Sequence, residues 1–330
     1  MISVIITAYN RNMYLGEALE SLYNQTLDQN LFEIFVITNI RDKELERKFK
    51  INTNFIYMED GPVSEYIIEG IKMAKGNIIS FLDDDDLFMP NKLEAVLRKF
   101  LDDPDLIYLH NNFLYLLNSQ NGNEKNRKRM KKDIIIYTDN IKNSSLKNMY
   151  KVINKSYAVN LSSVSVRREV LLSNIEKLTR MKGATDYYIL YLCLSIDSSK
   201  LFFLKQTLTA YRISNSETHI DLGGVIDIIK FRRLCEYQLY SFESLLSFNR
   251  ENSYYIFILS SINQWRLLLS IIEPSYETKK MLLEIKNYIE TTRQLRYLKK
   301  YIIIFFAITK MLFPKKTPQW FLLMRSMFYM

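Results

Sequence analysis

The sequence predicts an α/β protein: a mostly parallel sheet with helices on both faces, followed by a helical C-terminal region. Three observations carry this expectation. Short β-branched runs alternate with amphipathic helical runs through the first hundred residues. Four consecutive aspartates, Asp83–Asp86, directly follow one of the apolar runs. Beyond about residue 221 the strand signal stops, and residues 225–313 read as mainly helical.

Ile2 to Thr7 is rich in β-branched residues and reads as a buried first strand. Met13 to Gln25 sets Leu15, Leu19 and Leu22 on one helical face. Glu33 to Thr38 and Asn54 to Met58 read as the next two strands. Pro62 opens a helix carrying Ile67, Ile68, Ile71 and Ala74, and Gly76 closes it. Asn77 to Leu82 is the fourth strand, and Pro90 to Phe100 the helix after it. Asp105 to Leu117 holds one or two strands, and the basic segment 118–132 reads as a mobile loop. Leu161 to Val166 reads as a strand, Arg167 to Ile175 and Thr185 to Leu194 as helices, and Leu201 to Arg212 as a last strand.

Composition narrows the function classes. The chain has 330 residues and a net charge of +9, which fits either an anionic ligand or a solvated basic surface. Its two cysteines and two histidines form no zinc or redox pattern, and buried thiols suit a reducing compartment. The basic cluster near 125–132 lacks interleaved aromatics, which argues against nucleic acid. The apolar N-terminal run is too short for a signal peptide, and no stretch offers the roughly 20 consecutive apolar residues of a membrane span.

Asp83–Asp86 is the most informative segment. Ligands of open parallel sheets bind beyond the carboxyl ends of strands. Carboxylates this close resist joint ionisation unless a cation compensates, and oxygen ligands suit Mg²⁺ or Mn²⁺ with phosphate completing the shell. In extended backbone Asp83 and Asp85 point to one side, Asp84 and Asp86 to the other. A solvated acidic loop ahead of a helix is the plainer alternative.

Four segments in order carry a family resemblance. Val4-Ile5-Ile6-Thr7-Ala8-Tyr9-Asn10-Arg11, with the spaced Leu15, Leu19, Leu22, Gln25 and Thr26, resembles the opening of glycosyltransferase family 2. Gly70 to Asp86, through Ala74-Lys75-Gly76 and Ser80-Phe81-Leu82-Asp83-Asp84-Asp85-Asp86, resembles its strand and Asp-x-Asp motif. Ser162 to Glu169 resembles its acceptor-side strand, and the likeness extends over about residues 1–215. It implies a GT-A fold (Rossmann-like), a nucleotide-sugar donor, a divalent metal and inversion at the anomeric carbon. It further implies a catalytic domain over 1–220, with a nucleotide-sugar half at 1–100 and an acceptor half at 101–220, and a separate helical part at 221–330.

By the same resemblance, Asp85 binds the metal, and Asp83 contacts the donor ribose or the metal shell. Thr7, Ala8 and Tyr9 floor the base pocket, Arg11 faces it, and Asp84 lies in the donor motif. Gly183-Ala184-Thr185-Asp186 opens a helix where the family keeps its Glu-Asp pair, so Asp186 matches the general base. Read alone, Asp186 is better taken as a first-turn acid favoured by the helix dipole, and the family context reverses that reading. Arg212 and His219 stand where the family often meets the diphosphate, His219 as a candidate further metal ligand. The departures are Thr38-Asn39 where the family has acids, Thr185 in place of Glu, and a missing proline in the first loop. An Asn oxygen still accepts from a base N–H, which keeps a UDP-sugar favoured.

The resulting expectation is an inverting, metal-assisted transferase acting on a glycan or lipid-linked acceptor. The alternative is a catalytically degenerate scaffold of the same fold. A nucleotidyltransferase would carry a Gly-rich loop after the first strand, and the first glycine here is Gly16. Tyr301 to Phe313 is apolar, with lysines at 299, 300, 315 and 316, and Trp320 to Met324 forms a second patch beside Arg325. That pattern suits a helix on a membrane surface, and so a cytoplasmic enzyme peripheral on the inner face of the cell membrane. A helical cap on the domain, or a homo-oligomer contact, is the competing reading.

Overall fold

The computed structural model describes residues 1–117, 130–139, 143–155, 157–213, 228–247, 255–273, 276–293, 298–313, 317–318 and 321. They fall in two compact units, Met1–Ser214 and Asn215–Met330.

The first unit runs β1 (Ile2–Ala8), α1 (Leu15–Tyr23), β2 (Phe32–Thr38), α2 (Lys43–Lys48), β3 (Thr53–Tyr57), α3 (Val63–Met73), β4 (Ile78–Asp83), β5 (Leu87–Phe88) and α4 (Lys92–Asp102). It continues with β6 (Leu106–Leu117), β7 (Ile134–Tyr137), α5 (Asn143–Asn154), β8 (Val164–Arg167), α6 (Arg168–Leu172), α7 (Ile175–Leu178), α8 (Thr185–Leu194) and β9 (Lys200–Ile213). Among the described residues these strands form one nine-stranded sheet, in the order β3-β2-β1-β4-β8-β6-β9-β5 with β7 paired to β9. Strand β1 is buried along its whole length, as its β-branched run requires. Its even positions Ile2, Val4 and Ile6 share a core with Leu15, Leu19 and Leu22 of α1 and with Leu93 and Val96 of α4. On the other face Ile5 meets Gly70 of α3, so helices cover both sides.

The sheet expected to be mostly parallel is so from β3 to β4. Beyond β4 the sheet is mixed: β8 runs antiparallel to both β4 and β6, while β6 and β9 are parallel. Asp105 to Leu117 resolves as one long strand, β6. The pairing of β6 with β9 slips around Asn111 and Asn112, whose buried amides bond to Thr209 and to the Lys205 carbonyl instead of extending the apolar alternation. The strand expected from Leu161 starts only at Val164. Leu161–Ser163 is a turn of 3₁₀ helix, and the Ser162 hydroxyl accepts from the Asp83 N–H at 2.9 Å. Segment 118–129 of the expected loop lies outside the described residues.

The second unit comprises α9 (Ile228–Ser244), α10 (Tyr255–Ile272), α11 (Thr278–Thr291) and α12 (Leu298–Leu312). These share a core of Phe231, Leu267, Ile271, Met281, Tyr288 and Phe306, among others. Among the described residues α10 is the one helix long and apolar enough to cross a membrane, and it sits in this core. Cys193 and Cys235 are buried free thiols, each inside its own unit.

Gly76 joins α3 to β4 where the chain runs against β1. A Cβ there would stand 2.7 Å from the Ser3 backbone nitrogen and 2.8 Å from the Ile2 carbonyl carbon. Neither obstacle is a side chain that can rotate away. Gly76→Ala is expected to cost about 1–3 kcal/mol in chemical denaturation, and an unchanged midpoint would contradict this packing.

Candidate active site

Because β1 to β4 are parallel, their carboxyl ends open on one edge. Thr7 stands in register with Asp83 across β1 and β4, and Ala8 with Thr38 across β1 and β2. Strand β4 stops at Asp83, and the Asp86 N–H closes a turn onto the Asp83 carbonyl at 3.1 Å. This turn overrides the expected alternation of the four aspartates. Asp84 and Asp85 both reach Arg11, whose Nη2 lies 2.7 Å from Asp84 Oδ1 and 2.8 Å from Asp85 Oδ2. Arg11 Nε adds a further bond to Asp84 at 3.0 Å.

The turn is also held from below. The Arg212 N–H donates to Asp86 Oδ1 and its Nε to the Asp85 carbonyl, both at 2.8 Å. Its Nη2 donates to Glu17 at 2.5 Å, and its guanidinium lies 4.1 Å over the Tyr14 ring. Arg212 was expected at the diphosphate. Its side chain is buried and engaged in shaping the acidic turn. Fully buried Lys92 donates to the Ser162 carbonyl and, at 3.0 Å, to Thr209 Oγ1, with its ammonium 3.6 Å over Phe88. Sequence reasoning missed Glu17, Lys92 and Ser162. The one available signal for Lys92 was its place in the first turn after the acidic run, where an acid is the usual choice.

Burial and the neighbouring charges of Asp85, Asp84 and Asp186 push Asp83 up to about 7, against a smaller opposing effect of Arg11. Asp84 rises to about 6 through burial, opposed by its bond to Arg11. Asp86 is raised well above the carboxylate range, again first by burial. Among the described residues no three His, Cys, Asp or Glu side chains converge as a ready-made metal cage. The arrangement still fits a divalent cation. Its negative charge is under-compensated, and Mg²⁺ or Mn²⁺ commonly takes one or two carboxylates and draws its other ligands from phosphate and water. Asp85 and Asp83 are the residues that would hold it.

Asp186 lies in the first turn of α8, behind Gly183 at φ 153° and Ala184 at φ 43°. Its two oxygens accept from the Asn160 N–H and the Tyr187 N–H, each at 2.8 Å. Burial raises its pKa, and the backbone bonds oppose the rise. Its charge in turn raises Asp83 and the Tyr211 hydroxyl. His219 lies outside the described residues. His110 is a core residue, bonded through Nε2 to the Val159 carbonyl at 3.0 Å and lowered to about 4 by burial.

At the end of β2 Asn39 is bonded through both its oxygen and its nitrogen. Its Oδ1 accepts the Asn10 N–H at 2.9 Å, and its Nδ2 donates to Asn10 Oδ1 at 2.6 Å and to Asp60 Oδ1 at 2.7 Å. Asn10 takes φ 56°, a left-handed conformation that asparagine tolerates. Tyr9 meets Tyr66 edge-on at 5.6 Å. Asp60, which sequence reasoning missed, brings a carboxylate from beyond β3 to the place where β2 supplies only an amide.

A parallel four-strand half, a mixed second half and an acidic turn after the fourth strand define a glycosyltransferase fold of the GT-A type with a C-terminal helical region. Residues 3–162 match the model of glycosyl transferase family 2. An uncharacterized glycosyltransferase of Rickettsia bellii is 36% identical over 118 residues, which cover 34% of this chain and 16% of that protein. The minor teichoic acid biosynthesis protein GgaB of Bacillus subtilis is 35% identical over 105 residues, covering 30% and 12%. The matches thus span small parts of these longer relatives. Among solved structures, residues 1–349 of S. aureus TarS in complex with UDP-GlcNAc superpose with a TM-score of 0.52 at 19% identity, covering 90% of this chain and 93% of that one. Mannosyltransferase PcManGT from Pyrobaculum calidifontis, in complex with GDP-Man and Mn²⁺, superposes with a TM-score of 0.50 at 13% identity, covering 98% and 84%. At these identities the likeness is one of fold.

The raised carboxylates make stability pH-dependent. Asp83 and Asp84 ionise near 4 in the unfolded chain but near 7 and 6 when folded. Their contribution is therefore most favourable while they are protonated, and it is lost as pH rises from about 4 to about 7. In EDTA, Asp83→Asn should become progressively more thermostable than wild type between about pH 5 and about pH 8. Mn²⁺ should stabilise the wild type more than the variant. A Tm difference that stays constant with pH would contradict the assignment.

Proposed function

We propose that the chain is an inverting, metal-assisted glycosyltransferase that moves a sugar from a nucleotide-sugar donor to a glycan or lipid-linked acceptor at the cytoplasmic face of a membrane. The observation that carries this reading is the acidic turn at the strand ends, bonded to a half-exposed arginine, with Asp83 raised in part by the charge of Asp186.

The donor base would lie over the ends of β1 to β3, beside Tyr9. With Asp60 Oδ1 already bonded to Asn39, its second oxygen offers one further acceptor, which suits the single ring N–H of uracil. Guanine, which presents a ring N–H and an amino group side by side, would use both oxygens. This favours a UDP-sugar. A divalent cation held by Asp85 and Asp83 would neutralise charge on the diphosphate. Arg11, 40% exposed at its side chain, is placed to turn from its carboxylates toward the same phosphates. Arg212 and Lys92 keep the turn in shape from beneath.

The acceptor hydroxyl gives its proton to Asp186, and its oxygen attacks the anomeric carbon from the face opposite the diphosphate. The bond from that carbon to the phosphate oxygen breaks, and its electron pair leaves with the nucleotide. A single displacement of this kind inverts the configuration. The Asn160 and Tyr187 N–H bonds hold the carboxylate in one orientation, and its raised pKa makes it the better base. Thr185, where the family has an acid, is the feature that favours a non-catalytic binding role.

Asp186→Asn keeps the shape of the side chain but cannot take the proton. It is expected to bind nucleoside diphosphate as wild type does and to lose roughly 10²–10⁴-fold in turnover, assayed with a panel of UDP- and GDP-sugars. Turnover within a few-fold of wild type would remove Asp186 as the base. Nucleotide binding without turnover by the wild type on any donor would favour the binding role.

A further inference from the structure

Helix α12 has two apolar faces. Ile303, Phe306 and Ala307 pack into the core of the second unit. On the opposite side Tyr301, Phe305, Ile308 and Leu312 are 58%, 62%, 49% and 70% exposed. Their spacing, four, three and four residues apart, sets them in one stripe along the helix. A continuous uncovered stripe of four large apolar side chains marks an interaction surface.

The sequence around the stripe says what it meets. Residues 291–330 contain eight Lys or Arg and no Asp or Glu. Lys300 and Lys310 are turned inward, Lys300 donating to the Thr292 carbonyl at 2.8 Å, and burial lowers both. That leaves at most six for a surface. The stripe's spacing would also suit a seam with a second copy of the helix. Such a seam would bring two segments of uniformly positive charge together with no acid on either to compensate. An anionic lipid surface covers the apolar stripe and supplies the counter-charge at once.

We propose that α12 docks on an anionic membrane, lying in the headgroup region with Tyr301, Phe305, Ile308 and Leu312 toward the acyl chains. The inference deepens the membrane part of the proposed function, and it would deliver a lipid-linked acceptor to the enzyme. Docking itself needs neither donor nor metal, so its test is separable from that of the transfer reaction.

The test is co-sedimentation of the full-length protein with phosphatidylglycerol vesicles and with neutral phosphatidylcholine vesicles, beside the double variant Phe305→Asp, Leu312→Asp. Both positions are exposed, and circular dichroism checks that the variant folds. Wild type should pellet with the anionic vesicles, be released by high salt, and bind neutral vesicles weakly. The variant should lose at least about tenfold in affinity while hydrolysing donor in solution as wild type does. Absence of hydrolysis in both proteins would count against the transferase reading and leave the docking result standing. Equal vesicle binding by wild type and variant would overturn the docking proposal, as would failure of wild type to bind. A wild-type dimer in sedimentation velocity that turns monomeric in the variant, without vesicle binding, would give the stripe to a second copy and overturn it as well.

Discussion

Four carboxylates in consecutive positions cannot all be charged in a half-enclosed turn unless cations stand among them, and the site of the N-terminal unit is arranged around that constraint. Arg11 reaches Asp84 and Asp85 from the first loop, while Arg212 reaches the Asp85 carbonyl and Asp86 from the last strand. Lys92 lies buried beneath, where burial pushes its ammonium well below the usual lysine range and Asp86 opposes that shift. The three basic residues come from the loop after β1, from α4 and from β9, so the turn ties distant parts of the sheet to one point. Asp83 still stays raised to about 7. The site is built with negative charge in excess, the electrostatic condition for receiving a further cation together with an anionic ligand.

The first half of the fold was legible because each of its elements obeys one local rule. Ile2 to Thr7 is buried on both faces, Leu15, Leu19 and Leu22 repeat at helical spacing, and Gly76 lies between α3 and β4 where only a bare Cα fits against β1. The mixed second half was less legible. Strand direction is decided by long-range pairing, and Asn111 and Asn112 break the apolar pattern of β6 for partners on β9 that no local rule identifies.

The site shows the same division. The acidic turn could be picked out from residue type and its position at a strand end, whereas Asp186 was singled out only by the family resemblance. The geometry of the four aspartates could not be read there, because the turn between Asp83 and Asp86 cancels the alternation of an extended strand and sends Asp84 and Asp85 to one arginine. The bonds by which Arg212 supports the turn had no signal in the sequence, because its partners, Glu17 and the Asp85 carbonyl, are brought to it only by the fold. Asp60 went unnoticed for a related reason. It is an exposed acid in a loop until β2 and β3 pair and bring it within 2.7 Å of Asn39.

The central claim is that the acidic turn binds a nucleoside diphosphate through a divalent cation. Calorimetric titration of wild type and Asp85→Ala with UDP, GDP, dTDP and CDP, each with Mn²⁺ and with EDTA, tests it most directly. The account predicts that wild type binds UDP most tightly and only with Mn²⁺, and that Asp85→Ala, still folded, loses at least about tenfold of that affinity. Nucleotide affinity that is the same in EDTA, or that survives Asp85→Ala unchanged, would contradict it.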